Sequence, residues 1–135
     1  MAWFKCPRGQ KKILPAEFVI HATKILSNVS TVREFDFTFQ VADQTGKKVA
    51  DGWILMQQGT ESFSFNKIEI KEAGTYSYTV TEDQGYENIV YDASVYQVIV
   101  AVGLNTAKTK LEIKQTTYKK DGRVVDEIVF ENAGI

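Results

Sequence analysis

Apolar and polar side chains alternate along most of this chain, the two-residue period of a β-strand with one face buried. Phe18 to Leu26, Phe35 to Val41, Gly52 to Met56, Ser62 to Phe65, Thr75 to Glu82, Val95 to Val102, Lys110 to Tyr118 and Val124 to Phe130 all read as strands. They are rich in Val, Ile, Thr, Tyr and Phe, whose branched and aromatic side chains suit a pleated, half-buried surface. Asp43-Gln44-Thr45-Gly46, Asp51-Gly52, Glu72-Ala73-Gly74, Asp83-Gln84-Gly85 and Asp121-Gly122 supply the turns between them. Seven to eight short strands at this spacing predict an all-β fold, an immunoglobulin-like antiparallel β-sandwich. Residues 1–13 lack the period and read as a leader or linker, which leaves 14–135 as the single domain.

Parity along the strands assigns faces, and three polar residues break it. Tyr76, Tyr78 and Val80 mark a core face against Thr75, Ser77, Thr79 and Thr81, and the same count puts Glu82 inside. Phe18, Ile20, Ala22 and Leu26 share a parity with Lys24 among them. Ile128 and Phe130 face in while Glu127 and Glu131 face out, so Asn132 follows Phe130 inward. Lys110, Glu112 and Lys114 behave normally, alternating against Leu111 and Ile113 on a solvent face. Lys24, Glu82 and Asn132 lie near strand ends, where alternation frays and a long side chain reaches water. That is one reading of them.

Composition narrows the alternatives. The chain has 135 residues, 44% of them hydrophobic, which is enough for a core of its own. A net charge of -1 offers no basic face to nucleic acid. No apolar run approaches the roughly 20 residues that span a bilayer, and the first residues do not resemble a signal peptide. With one His and one Cys, the chain is short of residues for hydrolysis or for a metal, so neither cofactor nor metal is expected. Cys6 has no internal partner for a disulfide.

The second reading of the three polar residues is chemical. A lysine, a carboxylic acid and an asparagine enclosed in an aromatic core can condense. Burial disfavours both charged forms, lowering the lysine pKa and raising that of the acid. The neutral amine is a nucleophile for the Asn132 side-chain carbonyl, with Glu82 polarising that carbonyl and passing protons to the departing ammonia. The product is an intramolecular isopeptide bond, formed once and without turnover.

Several motifs resemble those of the streptococcal pilin isopeptide-linkage domains, found in shaft pilins and repetitive surface adhesins of Gram-positive bacteria. Ala22-Thr23-Lys24-Ile25-Leu26 is similar to the family's first-strand lysine motif, and Glu34-Phe35-Asp36-Phe37-Thr38-Phe39 to the strand that follows. Gly74-Thr75-Tyr76-Ser77-Tyr78-Thr79-Val80-Thr81-Glu82 resembles the stretch ending in the catalytic acid. Val90-Tyr91-Asp92 with Tyr96-Gln97-Val98-Ile99-Val100, and the closing Val129-Phe130-Glu131-Asn132, complete the series from Phe18 to Asn132. The resemblance implies a Lys24–Asn132 bond with Glu82 as catalytic acid. Gly134 departs from the pattern, because the family often has an aromatic two residues after the asparagine.

A bond between the first and last strands ties together the two ends at which tension enters a surface fibre. The resemblance therefore implies a structural stalk or shaft module of a cell-surface adhesin or pilus, extracellular, in a parent protein anchored to the wall. Its partners are then neighbouring domains of that protein, any host-surface ligand belongs to other domains, and the isolated segment is expected to be a monomer. The competing class is a carbohydrate- or host-protein-binding sandwich without the cross-link, which an exposed row of aromatics on one sheet would favour. Trp53 is the candidate for such a contact. Cys6 reads as incidental, with a thioester to a glutamine such as Gln10 as the alternative; His21 has no second metal ligand, and Tyr91-Asp92 reads as a loop anchor. Leu14-Pro15-Ala16-Glu17 lacks the Thr-Gly of a sortase signal.

Overall fold

The computed structural model describes residues 12–29 and 33–135; Cys6, Gln10 and all but the last two residues of the leader lie outside them. Among the described residues the regular elements are all strands. They are β1 (Ala16–Phe18), β2 (His21–Ser27), β3 (Phe35–Ala42), β4 (Lys48–Met56), β5 (Gly59–Ser64), β6 (Ile68–Ile70), β7 (Gly74–Glu82), β8 (Ile89–Val90), β9 (Tyr96–Leu104), β10 (Leu111–Lys120), β11 (Arg123–Val125) and β12 (Val129–Gly134). A six-stranded sheet in the order β11-β10-β9-β7-β3-β4 packs against a four-stranded sheet in the order β5-β2-β12-β8. A short β1–β6 ribbon completes the sandwich.

The eight sequence-read runs are present, with two of them divided. The first run changes partners at Val19–Ile20: Phe18 pairs with Ile68 of β6, and His21 pairs with Ser64 of β5. Its parity survives the switch, since Phe18, Ile20, Ala22, Lys24 and Leu26 are all buried. The last run divides because β11 folds back on β10 through Asp121-Gly122, both with positive φ, before the chain crosses to β12 in the other sheet. Two positive-φ residues at a two-residue loop match the twist of a hairpin. β6 and β8, of three and two residues, are too short to show a period.

Asp51-Gly52 is not a turn. It lies inside β4, with Gly52 opposite Phe39 and Asp51 opposite Gln40. A Cβ on Gly52 would sit 2.7 Å from the Phe65 ring and 3.0 Å from the Phe63 ring. The glycine makes room for the stacked Phe39–Phe63 pair, whose centroids are 4.4 Å apart.

Among the described residues, all the strand pairings are antiparallel except one. β12 runs parallel to β2, with Val129 opposite Thr23, Phe130 opposite Lys24 and Asn132 opposite Leu26. The first long strand and the last are therefore neighbours in one sheet. Phe130 fills the space beneath them, 5.2 Å from both Phe39 and Tyr96 by ring centroids.

The end of β12 also explains the departure at Gly134. A Cβ there would lie 2.3 Å from the Asn28 carbonyl oxygen, and the Gly134 carbonyl accepts a hydrogen bond from Asn28 Nδ2 at 3.0 Å. Main chain meets main chain, so no side chain fits. Gly134→Ala is expected to lower unfolding free energy by about 1–3 kcal/mol, as overpacking does, which urea denaturation measures. An unchanged midpoint would mean that the two segments are free to separate.

Candidate functional site: a lysine, a glutamate and an asparagine in the core

Three strands from two sheets supply the site. Lys24 is at the middle of β2, not near a strand end with access to water, and is fully buried (0% exposed), which ranks it among the largest side chains in the interior. Asn132, 2% exposed, stands on the neighbouring β12 and faces the same way. Glu82 closes β7 in the opposite sheet, where it pairs with Phe39, and its side chain is fully enclosed. Strand parity alone points each of these polar residues inward. The sandwich then brings them together.

One oxygen joins the three. Glu82 Oε2 forms an ion-pair contact with Lys24 Nζ and accepts a hydrogen bond from Asn132 Nδ2 at 2.8 Å. Glu82 Oε1 is buried and, among the described residues, has no hydrogen-bond partner. The Phe37 ring lies beneath the lysine amine, 3.7 Å from centroid to Nζ, with Phe39 at 5.6 Å. Burial pushes the Lys24 amine below its ordinary pKa, and its contact with Glu82 only partly opposes this. Burial likewise pushes the Glu82 carboxyl up, against the opposing pull of Lys24 and Asn132. Both effects favour an uncharged amine beside an uncharged acid.

At the other end of the amide, Asn132 Oδ1 accepts a hydrogen bond from the Asp92 main-chain N–H at 2.7 Å. An N–H only donates, so this contact fixes which end of the amide is oxygen. Glu82 thus meets Asn132 at its nitrogen. The expected polarisation of the carbonyl by Glu82 is not the arrangement found, because the oxygen points to the β8–β9 loop instead. The Asp92 carboxylate accepts from the N–H groups of Ser94 at 2.8 Å and Glu131 at 2.9 Å.

Tyr91-Asp92 anchors a loop, as its composition suggests, and also reaches the site. Parity could not find this contact, since a main-chain N–H in a loop leaves no mark in an apolar–polar pattern. The adjacent Tyr91 hydroxyl accepts from the Gly85 and Tyr86 N–H groups at 3.1 and 2.8 Å. His21 is exposed at the start of β2, where Nδ1 and Ser64 Oγ lie 2.8 Å apart. Trp53 is 57% exposed on β4 beside Leu55, but it is the one strongly exposed aromatic among the described residues, not one of a row.

A β-sandwich whose core holds a lysine, a glutamate and an asparagine in contact is the arrangement of an isopeptide-type domain. The family model for the FctA, Spy0128-like isopeptide-containing domain matches residues 20–133, and the chain belongs to this family. The major pilin of Streptococcus pyogenes has a similar structure, with a TM-score of 0.68 and 22% identity over 86% of this chain and 50% of the pilin. The T-13 major pilin of the same species gives a TM-score of 0.69 and 23% identity, covering 86% and 52%. The T3.2 major pilin gives 0.66 and 21%, again covering 86% and 52%. The chain spans about half the length of these pilins, and at such identities the shared feature is the fold. It matches no curated protein sequence.

Proposed function

We propose that residues 14–135 are a stalk or shaft domain of a Gram-positive surface adhesin or pilus, stapled by an isopeptide bond between Lys24 and Asn132 that Glu82 promotes. The observation that carries this reading is the single Glu82 oxygen in contact with both the amine and the amide nitrogen inside a closed core. As the uncharged Lys24 amine attacks Asn132 Cγ, the protonated Glu82 gives its proton to Nδ2 and takes up the one the amine loses; the Cγ–Nδ2 bond breaks, and ammonia leaves. The acid ends as it began but the amine and the amide are consumed, so the chain reacts once and is no enzyme in the turnover sense.

The parallel pairing of β2 and β12 gives the bond a mechanical use. In a longer surface protein, tension arrives through the chain before β2 and leaves through the chain after β12. It then shears these two neighbours along their common direction. A covalent tie between Lys24 and Asn132 carries that load without extending the segment between them. Its partners are the adjoining domains of the same extracellular protein, and a wall anchor belongs to the parent chain.

Intact-mass measurement of the folded protein is expected to show one ammonia less than the sequence mass, with Glu82→Ala and Asn132→Ala restoring the full value. A wild-type chain at full mass overturns the reading. If Lys24→Ala still shows the deficit, another lysine is the partner.

A further inference from the structure

An amide carbonyl under attack by an amine moves its π electrons onto oxygen, and that charge needs a donor. Glu82 is engaged with the nitrogen of Asn132 and Lys24 is the nucleophile, so neither serves the oxygen. The Asp92 N–H does, at 2.7 Å, within the range in which oxyanion donors act.

We propose that the Asp92 main-chain N–H is the oxyanion donor of the cross-linking reaction and that the Asp92 carboxylate is the positioning group that holds it in place. This rests on the Lys24–Asn132 reading and adds a residue to it. As Nζ bonds to Cγ, the electron pair moves to Oδ1 and the N–H stabilises it without giving up its proton. The pair returns to re-form the carbonyl as Nδ2 departs with its added proton as ammonia. Glu82 handles every proton transferred.

The donor is fixed before the reaction begins. One carboxylate oxygen of Asp92 accepts from Ser94 on its own loop, and the other from Glu131, the residue immediately before Asn132. The loop is thereby tied to the strand bearing the amide, so donor and acceptor keep their separation when either moves. Burial pushes the Asp92 carboxyl upward, but the hydrogen bonds from Ser94 and Glu131 outweigh it and keep the group ionised. Charged acceptors hold N–H groups more firmly than neutral ones. Tyr91 reinforces the hold, since its ring meets the edge of Phe37, the ring beneath the lysine amine, at 6.2 Å.

The test is a clock started by folding. Full-length chain assembled by chemical ligation is diluted from denaturant, and ammonia loss is followed by intact mass while tryptophan fluorescence reports folding. Replacing the Tyr91–Asp92 amide by an ester removes the N–H and keeps the carboxylate. This chain is expected to cross-link about 10²–10³-fold more slowly, the usual effect of losing one oxyanion donor. Asp92→Ala, which keeps the N–H but frees it, is expected to slow at least about tenfold, as small misplacements of reacting groups do. Asp92→Asn, with one carbonyl oxygen left to accept, falls between. A merely structural role would slow the reaction only in proportion to the fold lost, so rates are compared for the folded fraction. If Asp92→Ala does not fold, the ester chain carries the test. An ester chain that keeps pace with wild type overturns this inference alone; a wild-type chain that never loses ammonia overturns the cross-link reading beneath it.

Discussion

Asn132→Ala is expected to keep its full sequence mass and to unfold with about 4–5 kcal/mol less free energy than the cross-linked chain. The figure treats the bond as a disulfide closing a loop of about 100 residues, whose chief effect is on the unfolded state. A second sign follows from that origin. Without the staple the unfolded chain is more expanded and exposes more surface, so the slope of free energy against denaturant steepens as the midpoint falls. Glu82→Ala is expected to be less stable still. It too prevents the bond, and it also strands the Lys24 amine between Phe37 and Phe39 with no partner. A buried polar group left without its hydrogen-bond partner costs about 1–3 kcal/mol. Guanidinium unfolding of both variants and the wild type, each checked by mass, tests the order. Equal midpoints for Asn132→Ala and wild type would mean that the strands are not covalently stapled.

The positions of the three polar residues were legible because parity in a half-buried strand is rigid. A one-residue slip would turn Phe130 out to solvent together with Asn132, and Phe18, Ile20 and Leu26 together with Lys24. What parity could not show was partnership. The parallel pairing of β2 and β12 depends on how distant strands stack, and it leaves no mark on either strand's own sequence. The same limit hid the change of sheet at Val19–Ile20, where the inward count continues unbroken while the hydrogen-bond partner changes from β6 to β5. Asp51-Gly52 misled for a different reason. Local turn chemistry was outweighed by the Phe63 and Phe65 rings, which need a residue without a side chain beneath them. Asp92 acts through main chain from a loop, and only the folded geometry gives it a target.

Stability against pH will separate the buried pair from either member alone. In Asn132→Ala the Lys24–Glu82 pair remains and cannot react. Whether drawn as two ions or as amine and acid, the pair in the folded state holds one dissociable proton. The unfolded chain also holds one between the ordinary values of 4.5 for the acid and 10.5 for the amine. Stability changes with pH only where the two states bind different numbers of protons. The pair therefore contributes a plateau within that range, wherever the folded chain also holds one proton. Glu82→Gln removes the acid and leaves Lys24 with its pKa lowered by burial. The unfolded lysine then carries a proton that the folded one lacks, from that lowered value up to 10.5. Stability of Glu82→Gln, taken relative to Asn132→Ala, is expected to rise by about 1.4 kcal/mol per pH unit where that window overlaps the plateau. Lys24→Met gives the mirror image, because the raised Glu82 carboxyl holds a proton that the unfolded acid has lost, so stability falls as pH rises above 4.5. Urea midpoints for the three variants at several pH values measure these slopes. Parallel curves for Glu82→Gln and Asn132→Ala would mean that Lys24 keeps its charge in the core, and a charged amine is no nucleophile.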